Sequence, residues 1–300
     1  MTLAQHKNRF IDKSIVCPSP AKINLFLHIT AQRSDGYHEL ETLFQFLDYG
    51  DAITFTITNN SAIDLITPVK GVANNDNLII KAAKLLQQKS KTNLGVKISI
   101  DKLLPMGGGL GGGSSNAATV LVALNKMWHC KLSNDELAKL GLTLGADIPI
   151  FIHGFSAFAQ GIGEKLTAIE PPESWYLISK PQCSISTADV FSAEHLPRNS
   201  PKLSTDSLHN ASFLSNKFYN DCQTVVIKQY PEVANLLAWL LEYAPSRMTG
   251  TGACIFSTFA SQTEALAIQA KLPVGTRSFV AKGVNISPLA DRVAKLPMHK

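Results

Sequence analysis

Residues 105–116 read Pro-Met-Gly-Gly-Gly-Leu-Gly-Gly-Gly-Ser-Ser-Asn, with six glycines in the seven positions from Gly107 to Gly113. Glycine costs roughly 0.5–1 kcal/mol per site relative to alanine in regular structure, so so dense a run serves something other than packing. Upstream, Val96, Ile98 and Ile100 alternate with polar residues as a strand does, and Pro105 closes the segment. Downstream, Ser114 or Ser115 is placed to N-cap an apolar helix over Ala117–Trp128. Strand, glycine loop and helix N-terminus in that order make an anion site. Unpaired backbone N–H groups and the helix dipole converge there, and no Cβ keeps a polyphosphate away from the backbone. A flexible linker is the alternative, but a linker has neither the strand before it nor the capped helix after it.

The loop is not a Walker A motif, which requires lysine directly after the last glycine, where this chain has Ser114. Gly107, Gly109 and Gly112 satisfy G-x-G-x-x-G, but any glycine-rich string does so by chance. A dinucleotide fold also needs a strand ending in an acidic residue about 20 positions on. Asn125 to Cys130 instead reads as a helix end. The loop reads as a separate way of holding ATP.

The 300 residues suffice for two domains or one large one, and 45% apolar with 17% charged residues describes an ordinary globular protein. The longest apolar runs, such as Asn235–Leu241, are too short to span a bilayer, and Met1–Phe10 has no hydrophobic signal core. Neither secretion nor membrane association is expected. The net charge of +5 is modest, and the mildly cationic start (Lys7, Arg9, Lys13) suits a phosphorylated substrate better than nucleic acid. Five widely spaced cysteines without any C-x-x-C point to reduced thiols in a cytoplasmic protein and away from zinc. The eight histidines lack metal-ligand spacing, so no residue is assigned to a metal.

The first half reads as strands with two helices. Ile23, Leu25, Leu27 and Ile29 alternate with Lys22, Asn24, Phe26 and His28 in a half-buried strand, Arg33–Gly36 is a turn, and Ile53, Phe55 and Ile57 mark another strand. Asn77–Lys89 has helical spacing, and the capping box Ser133–Glu136 opens a helix ending near Gly145. In the second half, Trp175 begins a strand and Asp221–Tyr243 is helical with a break at Pro231. Cys254–Phe259 is a strand, Thr263–Lys271 a helix and Ser278–Lys282 a strand, which suggests a second α+β layer. The expected fold class is α+β in two domains, 1–158 and 159–300.

Three more segments carry information together. Lys22 and Asn24 sit two apart on the polar face of a strand, Asp147 lies just past a helix end, and Gly250 and Gly252 form a second glycine turn between a helix and a strand. Pro-x-x-Ala-Lys-x-Asn-Leu near the start, a glycine–serine loop in the middle and Gly-x-Gly near the end resemble the GHMP kinases, which include galactokinase, homoserine kinase and mevalonate kinase. Five segments resemble one branch in particular, the kinases acting on diphosphocytidyl-methylerythritol. They are Pro20-Ala-Lys-Ile-Asn-Leu-Phe-Leu, Arg33-Ser-Asp-Gly-Tyr-His-Glu-Leu, the loop from Pro105, Leu144-Gly-Ala-Asp-Ile-Pro and Thr249-Gly-Thr-Gly-Ala-Cys. The resemblance runs from about residue 16 to Leu289. It assigns no role to the first fifteen residues or to the tail.

The resemblance implies a two-domain GHMP kinase fold with its active site in the cleft between the domains. It also implies ATP-dependent phosphorylation of the 2-hydroxyl of the methylerythritol moiety in a non-mevalonate route to isoprenoids. Lys22 and Asp147 match the family's catalytic pair. Asp147 would take the proton of a poorly nucleophilic tertiary alcohol, while Lys22 orients it and offsets charge on the transferring phosphoryl group. Pro105, Met106, Gly107, Gly108, Gly109, Leu110, Gly111, Gly112, Gly113, Ser114 and Ser115 match the ATP-binding segment. There Ser114, Ser115 and the helix N-terminus would face the β- and γ-phosphates, bridged by Mg²⁺. Asn77 and Lys102 are candidates for the adenine pocket.

On the substrate side, Tyr37 and Phe191 would stack on the two faces of the cytosine and His38 would read its edge, with Asn24 and Thr187 on polar parts of the substrate. The expected partners are ATP and this small molecule, in a monomer or homodimer. Two other classes are another small-molecule GHMP kinase of mevalonate type, and a non-enzymatic RNA-binding protein. The second follows from the topology that the superfamily's N-terminal half shares with a ribosomal protein domain.

Overall fold

The computed structural model describes residues 8–205, 208, 213, 215 and 217–297; Lys7 of the cationic start lies outside them. The chain opens with two long antiparallel strands, β1 (Ser14–Gln32) and β2 (His38–Thr58), followed by β3 (Ile63–Leu65), α1 (Leu78–Ser90) and β4 (Gly95–Asp101). Next come α2 (Gly112–Met127), α3 (Asn134–Leu142), α4 (Ile148–His153), β5 (Ala157–Gln160) and β6 (Lys165–Ala168). The second half holds β7 (Trp175–Lys180), α5 (Thr187–Ser192), α6 (Asp221–Gln229), α7 (Pro231–Leu241) and β8 (Ser246–Met248). It closes with β9 (Ile255–Phe259), α8 (Gln262–Gln269), β10 (Arg277–Val284) and α9 (Pro288–Ala294).

The strands join in one sheet whose main path runs β3-β4-β2-β10-β7-β9-β8, with β1 and β5 also on β2 and β6 on β5. β2 connects the two halves, because Gly283 and Val284 of β10 pair with Leu47 and Phe46. The expected α+β class is what the chain adopts. The boundary expected within about ten residues of residue 158 lies near β5, which pairs with Thr42–Phe44 of β2. The two segments given no role also contribute to a first hydrophobic core, formed with β2, β4, α1 and α2, which buries Phe10 from the one and Leu296 from the other.

β1 departs from the half-buried reading: residues 19–29 are buried on both faces. The second half of the chain packs on the Ile23 and Leu25 face, while Gly109, Asp147, Phe44 and Thr42, with Thr249, enclose Lys22 and Asn24 on the other, so these polar residues are not solvated. A register shift between Asn24 and Leu27 also turns Leu27 toward the side occupied by Lys22 and Asn24.

Helix boundaries follow local chemistry. Asn77 caps α1, its side chain accepting from the Ile79 N–H, and Ser133 with Glu136 closes the capping box of α3. Pro231 separates α6 from α7 as expected. α2 corrects the sequence reading: it begins at Gly112 with Gly111 as N-cap at φ +71°, and neither Ser114 nor Ser115 caps it. A glycine reaches the left-handed region without strain, so the helix starts inside the glycine run. Asp147 lies past the end of α3 as expected, and is also the N-cap residue of α4. The second glycine turn joins strands β8 and β9, not a helix and a strand. Among the described residues no helix is long and apolar enough to cross a membrane.

Candidate active site

A cleft of about 650 Å³ opens where β1, the glycine loop, the start of α2, the start of α4 and the second glycine turn meet. The loop is anchored on both sides. The Lys22 N–H donates to the Leu110 carbonyl at 3.1 Å, while Ala253 and Cys254 of the second turn donate to the carbonyls of Gly107 and Gly108 at 3.3 and 3.2 Å. Two positions require glycine. Gly109 holds φ +74° with its missing Cβ site 2.2 Å from the Thr249 carbonyl oxygen, and Gly111 holds φ +71° with that site 2.8 Å from the Phe151 ring. The first intrahelical bond of α2 runs from the Ser115 N–H to the Gly111 carbonyl at 2.8 Å. The N–H groups of Gly112, Gly113 and Ser114 therefore have no intrahelical partner and lie at the positive end of the helix dipole, on the cleft wall. The arrangement is an anion cradle.

Asp51 anchors the loop from beneath. Its side chain is fully buried and accepts from Lys102 Nζ at 2.6 Å, Asn116 Nδ2 at 2.9 Å, and the N–H groups of Leu103 and Leu104 at 2.9 and 2.8 Å. One carboxylate thus ties the strand-side entry of the loop to the helix at its exit. Sequence reading missed it, although a signal was present. Asp51 falls in the period-2 series with Ile53, Phe55 and Ile57, which places a charge on a buried face.

Lys22 Nζ lies 3.2 Å from Asp147 Oδ2, donates to Asn24 Oδ1 at 2.7 Å and to the Gly109 carbonyl at 3.3 Å, and sits 5.1 Å above the Phe44 ring centroid. The ammonium is enclosed, whereas the Asp147 side chain is 37% exposed and makes no capping bond to α4. One face of the carboxylate is held by Lys22 and the other is open to the cleft. Asn24 is held in turn, its Nδ2 donating to Thr42 Oγ1 at 2.9 Å and its N–H to Thr249 Oγ1 at 2.8 Å.

Most residues expected at the site line this one cleft: Lys22, Asn24, Asn77, Lys102, the loop from Pro105 to Ser114, Asp147, Thr187 and Phe191. Ser115 does not. It is fully buried and accepts from Ser19 Oγ at 2.9 Å, because its position in the first turn of α2 points it into the core. Tyr37 and His38 also lie outside the lining. Tyr37 is exposed on a turn held by Asp35, whose carboxylate accepts from the Tyr37 N–H and from Arg33. The His38 ring is buried and stacks on Phe191 at 5.2 Å and 29°, so the aromatic contact of Phe191 is to His38 and not to Tyr37. Burial first, and the nearby Arg198 charge second, hold the His38 imidazole below its ordinary value. Thr187 Oγ1 lies 2.9 Å from Thr251 Oγ1 of the second glycine turn, which sets α5 against the cleft.

Comparison with known proteins agrees along the whole chain. Residues 77–155 match the GHMP kinases N terminal domain and residues 201–273 match GHMP kinases C terminal. The chain is 65% identical over 300 residues to the 4-diphosphocytidyl-2-C-methyl-D-erythritol kinase of Colwellia psychrerythraea, covering 100% of both chains. It is 59% identical over 277 residues to the protein of that name from Shewanella putrefaciens, covering 92% of this chain and 96% of the other. A crystal structure of a 4-(cytidine 5'-diphospho)-2C-methyl-D-erythritol kinase superposes with a TM-score of 0.79 at 28% identity, over 90% of this chain and 99% of that one. The mevalonate kinase of Methanococcus jannaschii superposes with a TM-score of 0.66 at 16% identity, over 92% and 100% of the chains, a likeness of fold alone.

Proposed function

Because the chain belongs to the 4-diphosphocytidyl-2-C-methyl-D-erythritol kinase family of the GHMP kinases, we propose that its cleft transfers the γ-phosphoryl group of ATP to the 2-hydroxyl of diphosphocytidyl-methylerythritol. The observation that carries this reading is the Lys22–Asp147 pair, 3.2 Å apart, facing the unpaired N–H groups at the start of α2 across one cleft. An acceptor hydroxyl beside Asp147 and a triphosphate on the loop would be brought into line, which is most of what phosphoryl transfer needs.

In the step, the substrate oxygen forms a bond to the γ-phosphorus as the bond from that phosphorus to the β,γ-bridging oxygen breaks. The hydroxyl proton passes to Asp147 and ADP leaves. Lys22 orients Asp147 and offsets negative charge on the transferred group, while Asn24 holds Lys22 in place. The N–H groups of Gly112, Gly113 and Ser114 hold the phosphates, and Asn77 and Lys102 stand on the adenine side.

The described residues contain no group of three or more His, Cys, Asp or Glu able to cage a metal. The donors at the cleft, the Ser114 hydroxyl among them, suit a Mg²⁺ carried in on phosphate oxygens with most of its water, as that ion prefers. When bound, Mg²⁺ neutralises phosphate charge. Cytosine recognition rests in this reading on Tyr37, His38 and Phe191, with Thr187 on a polar part of the substrate.

The test is ADP release on adding diphosphocytidyl-methylerythritol with ATP, using mevalonate and homoserine as controls. Turnover confined to the cytidine substrate is the expected result. Equal or better turnover of mevalonate would move the chain to another branch of the superfamily.

A further inference from the structure

Arg198 spends its guanidinium in an unusual way. None of its N–H groups meets a carboxylate among the described residues. Nη1 donates to the carbonyls of Leu196 and Glu194 at 3.1 and 3.4 Å, and Nη2 to those of Ala193 and Phe191 at 2.9 and 3.2 Å. Nε donates to His38 Nε2 at 3.1 Å. Five donors in a rigid fork therefore meet five acceptors. Four of these are carbonyls at and beyond the C-terminal end of α5, the helix that carries Phe191. The fifth belongs to the histidine on which Phe191 stacks, 160 residues away in sequence. One side chain binds the aromatic wall of the cleft to the ring behind it.

The His38 bond has a chemical consequence. Arginine has no acceptor and does not give up its proton in proteins, so the nitrogen facing it must be bare. A neutral imidazole with a bare Nε2 carries its proton on Nδ1. His38 Nδ1 makes no hydrogen bond within the described residues and is not one of the sealed, orphaned polar atoms. It is the free donor of the pair.

We propose that Arg198 is a positioning residue for base recognition: it locks His38 in the Nδ1–H form, so that this histidine offers a donor to cytosine N3 and no acceptor to uracil N3–H. This rests on the reading of the substrate as a cytidine diphosphate ester met by His38. Cytosine presents a bare N3 where uracil presents N–H. A histidine free to exchange tautomers serves either base, whereas one pinned by arginine serves only the first and leaves the second with two facing donors.

The inference is tested in the whole enzyme by two measurements. With ¹⁵N-labelled histidine, wild-type His38 is expected to show the Nδ1–H pattern at neutral pH, and Arg198→Met to show tautomer exchange. In steady-state kinetics with the cytidine substrate and its uridine counterpart, Arg198→Met is expected to cut the preference for cytidine about tenfold or more. The loss should be carried by KM for the substrate, with KM for ATP unmoved. Arg198→Lys keeps the charge but cannot reproduce the fork, and should lose the preference as well. A wild-type His38 that is protonated on Nε2 overturns the inference without reference to any variant. Full preference retained in both variants, with wild-type turnover intact, overturns the role of Arg198 alone. No turnover of the cytidine substrate by wild type removes the functional reading, and this role with it.

Discussion

The missing Cβ of Gly109 would lie 2.2 Å from the carbonyl oxygen of Thr249, so the two glycine segments meet backbone to backbone. Gly109 therefore serves the joining of two distant segments as well as any phosphate. Gly109→Ala adds a left-handed strain and an overlap that only backbone movement relieves. It is expected to lower the thermal midpoint by a few degrees, on the scale of roughly 1–2 °C per kcal/mol for a chain of 300 residues. Gly113→Ala is the control, since its Cβ would make an ordinary contact 3.6 Å from Leu78 Cδ1. It should melt as wild type does. Equal melting of the two variants would show that the Gly109–Thr249 contact has no structural weight.

Asp147→Asn keeps the shape of the carboxylate and removes its basicity. Turnover should fall about 10²–10⁴-fold, with both substrates still bound. Retention of more than about a tenth of wild-type kcat would count against Asp147 as the base.

Asp51 gathers four donors from both ends of the glycine loop. Asp51→Asn replaces one accepting oxygen by a donor that then faces donors. The expected effect is a rise of several-fold or more in KM for ATP, exceeding any rise for the cytidine substrate. Equal increases for the two substrates would mean that Asp51 supports the fold at large and not the loop.

Tyr37→Ala and Phe191→Ala are each expected to weaken binding of the cytidine substrate by roughly 1–3 kcal/mol through lost stacking. ADP affinity should hold. Calorimetry with the substrate and with ADP separates the cases, and a selective loss of ADP affinity would move these rings to the nucleotide end.

His28 is buried beside Tyr219 and Phe26 with neither ring nitrogen hydrogen-bonded. Burial, and secondarily the Arg247 charge, push its pKa down from 6.5 to about 4. Between those values the unfolded chain holds a proton that the folded chain does not. The stabilisation from a neutral ring is thus complete above pH 6.5 and is lost as the pH falls toward 4, by about 3 kcal/mol at most. Urea titrations of His28→Phe should show a flatter decline over this window than wild type. Parallel curves would place the acid sensitivity elsewhere.

Much of this protein was legible in its sequence because much of it is local. Helix starts at Asn77 and Ser133 depend on bonds spanning two or three residues, and the break at Pro231 on one missing N–H. The glycine loop announced an anion site through its own composition and its flanks. Tertiary structure decided what depends on distant partners. It enclosed both faces of β1, turned Ser115 inward, carried α9 back to the first core and placed Asp147 against Lys22. It also set His38 between Phe191 and Arg198, away from the cleft lining. Periodicity reports which face of an element is covered; it carries no record of which residue, a hundred or more positions away, does the covering. Those pairings follow from the packing of whole elements, where burial obliges each charge and each donor to find a partner.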